Sequence, residues 1–125
     1  MADKKKIVLI EDDSVLAEMY LQKFQREGYD IFHALDGDEG IALIRQHEPD
    51  LVLLDIMMPK KSGIQVLEEL KQDEETKDVK VVLLSNVGDQ DYIDRGMALG
   101  AADYLLKSNF TPSEVVGKAA ALLAG

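Results

Sequence analysis

The chain has 125 residues, 46% hydrophobic and 30% charged, with a formal net charge of −10 and no cysteine. That length supports one hydrophobic core and no second, so a single domain over residues 1–125 is expected. The acidic balance argues against nucleic acid or an anionic membrane face as a direct partner, the lack of thiols excludes disulfide and thiolate chemistry, and no apolar stretch approaches the ~20 residues that span a bilayer. The N-terminus lacks a signal-peptide core, so the expected location is the cytoplasm.

Ile7 to Ile10 is a short apolar run that stops at Glu11, Asp12 and Asp13, and reads as a first strand. A helix follows at once. Leu16, Tyr20 and Phe24 recur every fourth residue, with Val15 and Met19 beside them; Asp13 or Ser14 is placed to cap it and Gly28 to stop it. Tyr29 to Leu35 reads as a more exposed second strand, and Asp36-Gly37 as a turn. Ile41, Ala42, Leu43 and Ile44 form a short amphipathic helix that ends before Pro49.

Leu51 to Leu54 is a fully apolar run leading straight into Asp55, the signature of a strand buried on both faces. Pro59 and Gly63 forbid its continuation. The third helix starts near Ser62-Gly63, with Ile64, Val66, Leu67 and Leu70 inward. Val79 to Leu84 is a fourth strand ending at Ser85-Asn86; Asp89 to Leu99 is a helix with sparse apolar residues (Tyr92, Ile93, Met97, Leu99) closed by Gly100. Asp103 to Leu106 is a fifth strand ending at Lys107. Thr111-Pro112-Ser113-Glu114 combines an N-cap, a proline at the first helical position and a capping-box glutamate, and opens the last helix.

Five strands alternating with five helices predict a parallel sheet covered on both faces, joined by right-handed crossovers. In such a sheet all strand ends lie on one edge, where ligands bind. That edge then collects Glu11, Asp12, Asp13, Asp55, Ser85 and Lys107. Two carboxylates 4 Å apart repel by about 4 kcal/mol at an effective dielectric near 20, so a positive group must offset them. Lys107 is one candidate, and a hard divalent cation with oxygen ligands, Mg2+ above all, is the other. Each residue taken singly has a plainer role: Glu11 to Asp13 as helix caps, Ser85 as a turn serine, Lys107 as a solvated lysine. Their convergence argues for chemistry.

The motifs IEDD after the first strand, LLDIMMP around Asp55, LLS ending the fourth strand and ADYLLK ending at Lys107 together resemble a two-component response regulator receiver domain of the single-domain, chemotaxis-regulator type. The resemblance runs from end to end. It implies a flavodoxin-like (βα)5 three-layer sandwich with parallel sheet order 2-1-3-4-5. It further implies that Asp55 accepts a phosphoryl group from a sensor histidine kinase or phosphotransfer protein, with Mg2+ held by Asp12, by Glu11 through water, by Asp55 and by the backbone carbonyl of Met57. Ser85 and Lys107 would bind the phosphoryl oxygens, and Tyr104 would be the aromatic switch that turns inward as Ser85 moves. The face of the fourth helix, fifth strand and fifth helix would then present the signal to a downstream protein or to an output domain beyond this chain. Such a protein is a signalling phosphoacceptor, catalysing only its own phosphorylation and dephosphorylation.

Two positions depart from the family pattern. Ser108 follows Lys107 where proline, often after a cis bond, is usual; a cis bond to a non-proline costs about 2.5–4 kcal/mol. Asn86 stands where a small residue is common, and a larger side chain there narrows access to Asp55. Three rival readings remain. One is an interaction module of the same fold that works without phosphorylation. Another is an aspartate-nucleophile phosphatase, which wants a second acid where Met57 stands. The third is a flavin protein, whose phosphate the acidic loop would repel. His33 and His47 have no ligand partners at metal spacing and read as structural or surface residues.

Overall fold

A computed structural model describes residues 4–86 and 88–124. In chain order the elements are β1 (Lys6–Ile10), α1 (Ser14–Arg26), β2 (Asp30–Ala34), α2 (Gly37–His47), β3 (Leu51–Asp55), α3 (Gly63–Gln72), β4 (Lys80–Ser85), α4 (Gln90–Ala98), β5 (Asp103–Leu106), a 3-10 turn (Lys107–Asn109) and α5 (Pro112–Ala124). The strands form one sheet in the order β2-β1-β3-β4-β5, and every pairing is parallel. This is the flavodoxin-like order expected from the sequence.

Strand alternation divides the core into two layers. Val8, Ile10, Val52, Leu54, Val81 and Leu83 face α2, α3 and α4. Ile7, Leu9, Leu51, Leu53, Val82, Leu84 and Leu105 face α1 and α5. All five residues of β3 are buried, as befits the middle strand of a doubly covered sheet. Burying one such leucine or isoleucine contributes about 1.5–3 kcal/mol, so these runs dominate the stability that holds the strand ends in register.

Local signals set the helix starts. Asp13, not Ser14, caps α1, its carboxylate accepting from the N–H groups of Val15 and Leu16. Ser62 and Gln65 form a reciprocal capping box on α3. Thr111 and Glu114 do the same at α5, with bonds of 2.9 and 3.2 Å. Gly28 ends α1 with φ +90° and Gly100 follows α4 with φ +99°, conformations that glycine adopts without penalty.

Several expectations need correction. Val15 and Met19 are 74% and 49% exposed; the buried stripe of α1 is Ala17, Tyr20 and Phe24, with Leu16 at its margin. An apolar arc wider than the contact face leaves its edge residues in water. In α2, Ala42 is exposed, while Gly40 packs where an added Cβ would lie 2.3 Å from Ile10. Strand β4 starts at Lys80 rather than Val79 and includes Ser85. Strand β2 is limited to Asp30–Ala34. Met97 is 44% exposed, and the sole buried residue of α4 is Gly96. No described peptide bond is cis, the one between Lys107 and Ser108 included.

Candidate functional site

Three strand ends bring the acidic and basic groups together. Glu11 directly follows β1 and is 1% exposed. Its N–H donates to the Ala34 carbonyl at 3.0 Å, which extends the β1–β2 pairing by one residue. Its side chain is engaged at both oxygens: Oε1 accepts from Lys107 Nζ at 2.5 Å, and Oε2 accepts from the Asp13 N–H at 3.1 Å. Asp55 is the last residue of β3 and is 5% exposed. Lys107, at the start of the 3-10 turn, also places Nζ 3.3 Å from Asp55 Oδ2.

Alternation explains why these groups meet. Asp55 shares the parity of Leu51 and Leu53, and Glu11 that of Ile7 and Leu9, so both lie on the α1–α5 side of the sheet edge. Asp12 is exposed beside them. Carboxylate oxygens of Glu11, Asp12 and Asp55 all lie within 4.8 Å of one another. They open on a cleft of about 280 Å3 lined by Glu11, Asp12, Asp13, Leu16, Asp55, Met57, Asn86 and Lys107. Larger grooves of about 540 and 570 Å3 flank Arg45 at the opposite sheet edge. They hold no comparable convergence of groups, so chemistry rather than size marks the site.

Burial and crowding set the protonation of the cluster. The Asp55 carboxyl is raised from 3.8 to about 7, first by desolvation and then by the neighbouring Glu11 carboxylate, with Lys107 pulling the other way. Burial alone would lower the Lys107 ammonium, but its bond to Glu11 and the charge of Asp55 raise it. One ammonium among three carboxylates leaves net negative charge facing an open cleft. An all-oxygen donor set of this kind suits a hard cation such as Mg2+, which keeps several waters and takes one or two carboxylates. The residues present therefore fit that ion.

Ser85 and Tyr104 are arranged differently. Ser85 is fully buried and is absent from the cleft lining. Its hydroxyl acts on the Tyr104 phenol, which burial raises and Ser85 lowers. Tyr104 packs on the α2–α4 side of the sheet, half-buried. Gly96 of α4 sits close by: a Cβ there would lie 2.4 Å from Leu83 and 3.7 Å from the Tyr104 ring.

The structure thus joins Glu11, Asp12, Asp55, Met57 and Lys107 in one cleft and sets Ser85 and Tyr104 behind it as an interacting pair. Two neighbours of the site escape a reading of the sequence. Tyr20 belongs to the stripe of α1, yet its phenol, raised by burial, feels the charges of Lys107, Glu11 and Asp55. His33 reads as structural, and it bonds the backbone of Glu11. Neither carries a spacing signal, because each reaches the site across the fold.

Comparison with known proteins agrees with this fold. Residues 7–119 match the family described as response regulator receiver domain. The DNA-binding dual master transcriptional regulator RpaA of Synechocystis sp. is 40% identical over 119 residues, covering 94% of this chain and 48% of that protein. Among solved structures, the Vibrio cholerae chemotaxis protein CheY4 has the same fold, with a TM-score of 0.89 at 22% identity over 96% of this chain and 99% of that one. The phosphorylated cyanobacterial phytochrome response regulator RcpA superposes with a TM-score of 0.83 at 30% identity, covering 94% and 91%.

The fold and site define a receiver of the flavodoxin-like class. The chain belongs to the response regulator receiver domain family of two-component signalling. It spans about half the length of the curated relatives it matches. No helix among the described residues is long and apolar enough to cross a membrane.

Proposed function

We propose that Asp55 is the phosphoacceptor of this receiver and that the cleft accepts a phosphoryl group from a histidine kinase's phosphohistidine or a phosphotransfer protein. The observation that carries the reading is the buried Asp55 carboxylate at the end of β3, 3.3 Å from the Lys107 ammonium and grouped with Glu11 and Asp12. An Asp55 oxygen attacks phosphorus, the O–P bond of an acyl phosphate forms, and the P–N bond of the donor breaks. Little covalent assistance is needed; such transfer depends on in-line positioning and on neutralising charge on the phosphoryl oxygens.

Asp12 and Asp55, with the Met57 carbonyl and with Glu11 through water, would hold Mg2+, which when bound supplies that neutralisation. Lys107 would pair with one phosphoryl oxygen and the Ser85 hydroxyl with another. Ser85 interacts with the Tyr104 phenol, so engaging the phosphoryl group draws on a neighbour of that ring. The proposed output is a rearrangement of Tyr104 and α4 that alters the face formed by α4, β5 and α5. The sparse burial of α4 supports it as the element that shifts. Partners on that face would be a downstream protein or an output domain. By this reading the domain catalyses only its own phosphorylation and dephosphorylation, in the cytoplasm.

The test is incubation with acetyl phosphate and Mg2+, followed by intact-mass measurement. The expected result is a gain of one labile phosphoryl group that requires the metal. A chain that gains none would instead be the same fold used as an interaction module without phosphorylation.

A further inference from the structure

The acidic loop after β1 has to be held in position, and one side chain that does so lies outside the cleft. In a continuing parallel ladder the Glu11 carbonyl would accept from the N–H of Asp36, two residues beyond the Ala34 carbonyl that takes the Glu11 N–H. By then the chain has turned away: Asp36 caps α2, its carboxylate accepting from the Glu39 N–H at 2.9 Å. The imidazole of His33 takes the place of that backbone donor. His33 pairs in register with Leu9, and its Nε2 lies 2.8 Å from the Glu11 carbonyl oxygen. A carbonyl oxygen only accepts, so Nε2 carries the proton and donates it.

Glu11 is thereby held from four directions: its N–H by Ala34, its carbonyl by His33, and its carboxylate by Lys107 and the Asp13 N–H. Of these, the bond to the carbonyl bears most directly on Asp12. The C=O of Glu11 and the N–H of Asp12 share one rigid peptide plane. Fixing the carbonyl fixes the direction in which the chain leaves β1, and with it where the exposed Asp12 carboxylate begins. No other described contact anchors that plane from the β2 side.

We propose that His33 is a positioning residue for the metal-binding loop, aiming Asp12 into the cleft through the Glu11 peptide. The proposal rests on the reading of Glu11, Asp12 and Asp55 as a Mg2+ site. It is an outer-shell role, carried by a backbone group instead of a ligand atom. Outer-shell partners typically change metal affinity by about 10–100-fold, and the indirect route places His33 at about tenfold, the lower end of that range.

The experiment compares His33→Phe, which keeps a ring and loses the donor, with His33→Gln, which retains an N–H donor at similar reach. Titration with MgCl2 alone is followed through the backbone amide NMR signals of Asp12 and Asp13. Thermal unfolding and amide exchange are measured on the metal-free proteins. The expected result is that His33→Phe weakens Mg2+ binding about tenfold and speeds exchange at Asp12 and Asp13, while His33→Gln restores both. A purely structural histidine would lower the melting temperature of both variants and leave Mg2+ affinity alone, and that outcome overturns the proposal. A parent chain that binds no Mg2+ would refute the metal reading instead. The exchange measurement then decides the positioning by itself, and unchanged exchange in His33→Phe overturns it.

Discussion

Lys107 Nζ lies 2.5 Å from Glu11 Oε1 and 3.3 Å from Asp55 Oδ2. Its shorter contact is thus with the carboxylate that is not the proposed nucleophile. Lys107 acts first as the counterion that lets Glu11 and Asp55 share a buried strand edge. Removing one partner of a buried pair leaves an uncompensated charge and costs about 3–5 kcal/mol. Lys107→Met is therefore expected to lower stability by about that amount in EDTA, and to recover part of the loss in Mg2+. Chemical denaturation in both conditions checks this. Equal losses with and without the metal would mean that Lys107 does not share its charge-balancing role with a cation.

The raised Asp55 carboxyl gives a pH dependence of definite sign. Its pKa is about 7 when folded, against an ordinary value of 3.8. Between those values the folded chain holds a proton that the unfolded chain has released, so metal-free stability falls as pH rises through that window. The span bounds the effect at roughly 4 kcal/mol. Asp55→Asn should flatten this slope and be more stable than the parent above about pH 7 in EDTA. Mg2+ must displace the same proton, so its affinity should rise from about pH 6 to about pH 8. Calorimetric titration in buffers of different ionisation enthalpy would register the released proton. A metal affinity independent of pH in that range would contradict the raised carboxyl.

Gly63 marks where the chain returns against the site. Its N–H donates to the Ile56 carbonyl at 2.8 Å. A Cβ at this position would lie 2.2 Å from the Asp55 carbonyl oxygen and 2.8 Å from the Ile56 Cα. Those are backbone atoms, so no rotamer change relieves the clash. Gly63→Ala is expected to cost at least about 1–3 kcal/mol, as overpacking does, and to weaken Mg2+ binding by shifting Asp55 and Met57 together. Thermal unfolding and a Mg2+ titration on one preparation check both effects. Parent-like behaviour in both would show that the approach is looser than the geometry requires.

The interaction of Ser85 with the Tyr104 phenol supplies the switch prediction. With a stable phosphoryl mimic and Mg2+, amide exchange should change from Gly88 to Lys107 far more than in α2. Tyr104→Phe, which keeps the ring and removes the hydroxyl, should alter the exchange of α4 without preventing phosphorylation. Changes confined to the loops after β1 and β3 would leave the chemistry standing and refute this route to the α4, β5 and α5 face.

The sheet and its edge were legible because four short apolar runs, those of β1, β3, β4 and β5, each end in a polar or charged residue, and parallel order puts those ends together. Asp55 stood out for that reason, as did Glu11 and Lys107. Contacts made across the fold were not legible. Nothing in the spacing says that Lys107 prefers Glu11 over Asp55, that Ser85 turns to Tyr104, or that His33 reaches the Glu11 carbonyl. The exposure of Val15 and Met19 was equally hidden, since helical periodicity defines an apolar arc and the packing of β2 and α5 decides which part of it is covered. The close approaches at Gly40, Gly63 and Gly96 arise from tertiary distances, and a glycine in the sequence reads the same whether it turns a chain or admits a neighbour.

The central claim is that Asp55 itself carries the phosphoryl group. An acyl phosphate is reduced by borohydride, which converts the phosphorylated aspartate to homoserine and leaves other aspartates unchanged. After treatment with acetyl phosphate and Mg2+, reduction and proteolysis, fragment-ion mass spectrometry should find homoserine at position 55, and none there in Asp55→Asn. Homoserine at position 12 or 13 in place of 55, or undiminished phosphoryl labelling of Asp55→Asn, would contradict the account.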